Sequence, residues 1–323
     1  MALMSIEDLR VRFPSEAGTV FAVNGVSLTV EKGEILGIVG ESGSGKSVTC
    51  QSLMGLLGPR ARASGRVRYG AAEVGIGEMV ALRRSGGFPA AMIFQDAVAG
   101  LNPIRTVGSQ IAEVFTFGRG LSGAEARRRT LELLAAVGIR DPEQRLGAYP
   151  HQMSGGMNQR ITIAMALAAE PQLLIADEPT TALDVTVQAQ ICALLRKLVD
   201  DTGVSVIFIS HDLDLVTEFC DRVAVMYAGA VVEVGACRRL KEQPQHPYTR
   251  ALFAAIPGHR PPFSQLEEIP GEIVIHTVEP AGCGFAPRCP RRLERCSAEV
   301  PLLLEGKDGT RLACFNPHPV QSA

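Results

Sequence analysis

At 323 residues the chain has room for two domains, or for one large domain with an appendage. An apolar fraction of 46% supplies a sizeable core, and a formal net charge of -2 gives no basic surface overall, which argues against nucleic acid as the main partner. Met1 to Arg10 carries Glu7 and Asp8 and no apolar segment, so it does not read as a secretory signal; no run of about 18 apolar residues is present to span a bilayer, since the richest stretch, Ile161 to Ile175, is broken by Glu170 and Pro171. The expectation is a soluble or peripheral protein of the cytoplasm.

Val20 to Val30 is predicted as a strand, because Phe21, Val23, Val26, Leu28 and Val30 fall mostly in alternation. Glu34 to Val39 is a short apolar run ending in glycine, which suits a buried parallel strand. Ser47 to Leu57 has helical spacing, and Arg66 to Tyr69 and Ala91 to Phe94 are short strands. Val107 to Val137 is helical, with Ser122 as an N-cap and Glu125 three residues on. A helix over Met157 to Ala169, a strand over Leu173 to Ala176, a helix over Val187 to Val199 and a strand over Val204 to Ile209 follow. Leu213 to Phe219 is helical, and Val223 to Tyr227 with Ala230 to Val234 makes a hairpin about Gly229. Alternating strand and helix implies an α/β fold with a mostly parallel sheet covered on both faces, and the helical insert between Phe94 and Leu173 should form its own lobe. Near Ile256 the composition shifts: Pro257, Pro261, Pro262, Pro270, Pro280, Pro287 and Pro290 mark a loop-rich extension, and the domain boundary is placed there.

The run Gly40-Glu41-Ser42-Gly43-Ser44-Gly45-Lys46-Ser47 matches G-x-x-x-x-G-K-[ST], with a strand before it and a helix after it. Gly40, Gly43 and Gly45 let the backbone wrap a phosphate chain, and the N–H groups of Ser42 and Ser44 can turn inward with it. Lys46 reaches the β- and γ-phosphates and the Ser47 hydroxyl is placed for Mg²⁺. A second apolar strand ends in Asp177 and Glu178, the first suited to holding Mg²⁺ through water and the second to orienting or deprotonating attacking water. His211 and Gln95 each follow a strand; His211 is a candidate γ-phosphate contact and Gln95 a candidate sensor of metal and attacking water. An ordinary surface role competes for each.

With Met153-Ser154-Gly155-Gly156-Met157-Asn158-Gln159-Arg160, which is similar to the LSGGQ signature, and with Thr181-Ala182-Leu183-Asp184, the chain resembles the ABC ATPases over residues 1 to about 256. That resemblance implies a P-loop NTPase with a RecA-like lobe, an antiparallel β lobe and a helical lobe at roughly 96–170. It implies head-to-tail dimers in which the signature, Ser154, Gly155 and Gly156, closes over the partner's ATP, and it implies Asp184 as a further nucleotide-site residue. Phe13 is the candidate for stacking on adenine, with Phe21 the competitor. Met157 departs from the usual Gln, and Asn158 stands where a basic residue is frequent and receives no role.

A narrower resemblance, to the peptide/nickel importer branch, rests on Tyr149-Pro150-His151, on Gln245-His246-Pro247-Tyr248-Thr249 and on Gly282-Cys283-Gly284-Phe285-Ala286-Pro287-Arg288-Cys289-Pro290. It implies ATP hydrolysis coupled to uptake of di- or oligopeptides, nickel or another small solute. The implied partners are a second similar ATPase, two transmembrane permease subunits and an extracytoplasmic binding protein, with this chain peripheral on the cytoplasmic face of the inner membrane. The permease helix is expected to dock near Gln95 to Asn102. A soluble ABC ATPase acting on DNA or ribosomes fits less well, because the chain has one core and no long basic insertion; a dead regulatory partner is opposed by intact Lys46, Asp177, Glu178 and His211.

The extension, residues 257–323, holds Cys283, Cys289, Cys296 and Cys314 in the spacing C-x5-C-x6-C-x17-C. Close C-x2-4-C zinc knuckles are absent from it. Four loop thiolates can hold an iron–sulfur cluster, and the tail is similar to that of peptide-branch members resembling [4Fe–4S] carriers; zinc and ordinary thiols remain open. A metal staple suits a proline-rich segment with little core, expected to stand apart from the lobe holding Lys46 and Asp177.

Overall fold

The structure is a computed structural model that describes residues 2–16, 18–181, 183–255, 269–273, 276–306 and 308–320. It divides into two compact units, Met1–Ser85 with Phe208–Ala323, and Gly86–Ile207. The boundary expected at Ile256, the prolines Pro257, Pro261 and Pro262, and Ala182 of the Thr181–Asp184 run lie outside the described residues.

The first unit opens with a long antiparallel hairpin, β1 (Ala2–Ser15) and β2 (Gly18–Glu31). Met4, Ile6, Leu9 and Val11 of β1 and Val23, Val26, Leu28 and Val30 of β2 are buried. The pairing slips between Ile6 and Leu9, where Asp8 takes a left-handed φ of 47°. That bulge breaks the two-residue alternation, so β1 was not legible as a strand. The next strand, β3 (Ile35–Val39), is wholly buried and leads through the glycine loop into α1 (Lys46–Leu53). A second sheet, order β2-β1-β4-β5, is completed by β4 (Arg62–Tyr69) and β5 (Ala72–Gly75), and α2 (Met79–Arg84) follows.

The second unit begins with β6 (Ala90–Ile93). Its helices are α3 (Val107–Glu113), a π turn over Val114–Gly118, α4 (Gly123–Ala136), the single turn α5 (Pro142–Arg145) and α6 (Gly155–Ala168). Ser122 caps α4 by accepting the Glu125 N–H, as its sequence position predicts. The buried strand β7 (Leu173–Asp177) runs parallel to β6, pairing Ala90 with Leu173 and Ile93 with Ala176. It is followed by α7 (Val185–Thr202), stopped by Gly203 at φ 72°.

The division falls within β8 (Ser205–Ile209). The chain then rejoins the first unit through α8 (Leu213–Phe219), β9 (Arg222–Tyr227) and β10 (Ala230–Ala236). Ala228 and Gly229, both at positive φ, make the tight hairpin turn. Two helices, α9 (Cys237–Glu242) and α10 (Pro247–Ala254), precede the extension, whose short strands β11 (Leu304–Glu305) and β12 (Arg311–Leu312) add to the edge at β10. The order within this unit is β11-β12-β10-β9-β3, with β9 parallel to β3. Phe285, Cys296 and Ala313 are buried, so the extension packs within the first unit. Among the described residues no helix is long and apolar enough to cross a membrane.

Candidate nucleotide site and cysteine pocket

The phosphate loop leaves β3 at Gly40, where a Cβ would lie 2.2 Å from the Met226 carbonyl oxygen, so only glycine fits. Lys46 is 6% exposed, and its ammonium curls back to donate to the carbonyls of Gly40 at 2.8 Å and Glu41 at 3.0 Å. Ser44 is buried, Ser42 and Gly43 are exposed, and Gly45 begins α1 with a φ of 97°. No acidic residue lies in the first turn of α1, so the positive end of the helix dipole is not offset there. Ser47 stands half-buried in that turn. The Ser210 N–H donates to the Ile38 carbonyl at 3.3 Å, so the exposed His211 leaves its strand at the end of β3 where the loop begins. Phe13 is half-buried on β1; Phe21, its competitor, carries the Arg12 guanidinium over its ring at 4.8 Å.

In the second unit β7 delivers Asp177, 7% exposed, and then Glu178, whose φ of 47° is left-handed. That conformation costs a non-glycine residue on the order of 1 kcal/mol. The Glu178 Oε2 accepts from Gln95 Nε2 at 3.0 Å and from Thr181 Oγ1 at 3.0 Å. Two residues singled out separately, Gln95 and Glu178, therefore touch. Ser154 caps α6 by accepting the Met157 N–H at 3.3 Å, and both it and Gly155 are exposed. Bare amides at the start of a 14-residue helix without acidic residues in its first turn are suited to an anion. Gly156 follows, and Asp184 caps α7 by accepting the Val187 N–H at 2.9 Å. Asn158, given no role from sequence, is buried and donates to the Pro150 carbonyl at 3.1 Å, tying the Tyr149–His151 turn to α6.

Sequence reasoning missed what surrounds Glu41. Its N–H donates to the Tyr248 hydroxyl at 3.0 Å, and its carboxylate accepts from Arg288 at 2.9 and 3.1 Å. Tyr248 is fixed by the buried His246, whose Nδ1 accepts the Tyr248 N–H at 3.0 Å. Burial pushes the His246 imidazole down to about 3, keeping it a neutral acceptor. Buried Glu233 accepts the N–H groups of Gln245 and His246, and burial raises its carboxyl. The signal for this cluster was present as the Gln245–Thr249 motif, but its partner in the phosphate loop lies far away in sequence.

Cys283, Cys289, Cys296 and Cys314 line one small cavity of about 10 Å³ with Phe285 and Phe315. The Leu293 N–H donates to Cys296 Sγ at 3.4 Å, and backbone hydrogen bonds from Phe285, Arg291 and Asn316 favour the thiolates of Cys283, Cys289 and Cys314 against their burial. Burial raises the thiols of Cys283 and Cys289, and that of Cys314 to about 11. Gly282 permits the approach, since a Cβ there would lie 2.6 Å from the Cys296 carbonyl oxygen. Among the described residues no three His, Cys, Asp or Glu side chains stand at the spacing of a bound metal ion. The four sulfurs share a cavity without forming a finished metal cage.

A strand–glycine loop–helix with a distal acidic strand defines a P-loop nucleotide-binding protein. The ABC transporter family model matches residues 23–181, and that of the oligopeptide/dipeptide transporter C-terminal region matches 232–296. A putative peptide import ATP-binding protein of Brucella abortus (strain 2308) is 48% identical over 302 residues, 93% of this chain and 91% of that one. The dipeptide transport ATP-binding protein DppD of Escherichia coli (strain K12) is 44% identical over 318 residues, 98% of this chain and 97% of that one. Among solved structures, the dimeric post-hydrolysis state of the ATP-binding cassette MJ0796 bound to ADP and Pi matches with a TM-score of 0.64 at 28% identity, over 73% of this chain and 99% of that one. This chain belongs to the family of peptide and dipeptide ABC transporter ATP-binding subunits. Its fold is that of the RecA-like ABC ATPases with helical and antiparallel-sheet subdomains.

Proposed function

We propose that this chain hydrolyses ATP to drive uptake of di- or oligopeptides, acting on the cytoplasmic face of a membrane. In this reading it works with a second homologous ATPase in a head-to-tail dimer, two permease subunits and an extracytoplasmic binding protein. The observation that carries the hydrolytic reading is the contact of Gln95 with Glu178, a carboxylate held in a strained conformation at the end of a buried strand. Lys46 leaves the loop carbonyls to neutralise the β- and γ-phosphates, and the amides of residues 42–47 wrap them. Glu178 accepts a proton from the water that attacks the γ-phosphorus as the bond to the β–γ bridging oxygen breaks, and Gln95 orients that water. His211 contacts the γ-phosphate, Phe13 stacks on adenine, and Ser154, Gly155 and Gly156, with Asp184, serve the partner's nucleotide. The Ser47 hydroxyl in the first unit, and the buried carboxylate of Asp177 and the amide oxygen of Gln95 in the second, are oxygen donors of the kind a hard cation takes. Magnesium held by these donors would supply charge neutralisation for the transferred phosphoryl group.

The permease docks on the second unit. A cavity of about 200 Å³ is lined by Met92, Phe94, Gly100, Val114, Thr162 and Met165, and Phe94, Val98 and Ile104 are exposed around this stretch. Exposed apolar side chains around a groove suit a partner helix. Peptide as substrate rests on the relatives, named for peptide import and dipeptide transport. The test is ATP-dependent uptake of a labelled dipeptide by lipid vesicles containing the assembled transporter. Uptake that needs ATP and the binding protein is expected; a transporter that hydrolyses ATP but accumulates nickel chelates and no peptide removes the substrate assignment.

We infer that the four cysteines hold a [4Fe–4S] cluster, with zinc the competing metal. Four sulfur donors suit a soft metal, and the Leu293 N–H on Cys296 Sγ is the kind of hydrogen bond that stabilises cluster thiolates. Cys283, Cys289, Cys296 and Cys314 would hold it as thiolates, and it would supply the positive charge that favours them against burial.

A further inference from the structure

The cysteine-bearing extension reaches Glu41 of the phosphate loop through Arg288. Its side chain is 6% exposed, and all three guanidinium nitrogens donate. Nε donates to the Pro270 carbonyl at 2.7 Å and Nη2 to the Ile269 carbonyl at 3.0 Å. Nη1 donates to both carboxylate oxygens of Glu41, at 2.9 and 3.1 Å, and to the Tyr227 hydroxyl at 3.2 Å. Glu41, the first variable residue of the loop, is thereby held by all its polar groups. Its N–H goes to Tyr248, its carbonyl accepts from Lys46, and its carboxylate is on Arg288. The tie rests on an aromatic cluster in which Tyr227, Tyr248 and Phe285 meet edge-on or tilted, with centroids 4.6 to 5.3 Å apart.

We propose that Arg288 is a positioning residue for ATP binding: it neutralises Glu41 and pins the start of the phosphate loop, making the extension a wall of the nucleotide site. Two physical arguments support this. A carboxylate in a loop that must receive a polyphosphate anion opposes binding unless a cation is fixed beside it, and this half-buried, charge-assisted pair holds that cation in place. When ATP arrives, Lys46 must also release the Gly40 and Glu41 carbonyls, so the loop needs a hold that does not pass through Lys46. Arg288 and Tyr248 provide it.

The test is a titration of full-length chain with a fluorescent ATP analogue, with iron content measured on the same samples. Arg288→Gln retains a donor for the carbonyls of Ile269 and Pro270 but leaves Glu41 uncompensated; it should weaken binding about tenfold. Arg288→Lys should recover part of that loss. The decisive variant is Glu41→Gln combined with Arg288→Gln: removing the carboxylate should return the affinity to within about threefold of wild type, on the same energy scale. A merely structural Arg288 predicts the opposite, a defect that persists or deepens in the double variant. Unchanged affinity in Arg288→Gln, or a loss that tracks iron content and is not relieved by Glu41→Gln, overturns the proposal.

Discussion

Glu178 concentrates the chemistry at the residue scale. It sits at φ 47°, one residue beyond the buried Asp177, and accepts from Gln95 and Thr181. Glu178→Gln keeps the shape and both neighbours but removes the base, so nucleotide affinity should be retained while steady-state turnover falls about 10²–10⁴-fold. Turnover within a factor of two of wild type removes Glu178 from that role. Residue roles of this kind were legible because they are local: Gly40 to Ser47 is one continuous motif and Asp177-Glu178 one strand end. Arg288 was quoted in its motif without a role, since its partner Glu41 is 247 positions away and nothing in either local pattern announces the pair.

Among elements, those with clean periodicity or a cap were readable. The helix α8 spans Leu213–Phe219 as the sequence predicts, and the Ser122 cap starts α4. The strand β1 was hidden by its bulge at Asp8 and by Glu7, Asp8, Arg10 and Arg12, which interrupt an apolar face seen only once Leu9 and Val11 are buried. The short elements β5 and α2 are too brief to show a period. The extension differs most from its sequence expectation. Instead of standing apart from the lobe holding Lys46, it adds β12 to β10 and sends Arg288 to Glu41. Its cohesion should depend on the cysteines, because the segment is rich in proline and loops. Cys289→Ser should lose the brown colour of anaerobically purified protein and make residues 276–320 sensitive to protease. Wild type should carry about four irons and four sulfides per chain. One zinc per chain selects the competing metal, and anaerobic wild type with neither metal leaves four ordinary thiols.

At the scale of the whole molecule, the chain is an ABC-type ATPase subunit whose phosphate loop is braced by its own extension. Gly40 to Ser47 binds ATP for hydrolysis in the proposed function, with Lys46 as the one cation in that run able to neutralise the β- and γ-phosphates. The most direct measurement compares wild type and Lys46→Ala in the same transporter assembly, following Mg-ATP affinity and phosphate release together. Wild type should bind and turn over ATP, and Lys46→Ala should lose both. Unchanged affinity with unchanged phosphate release in the variant would contradict it.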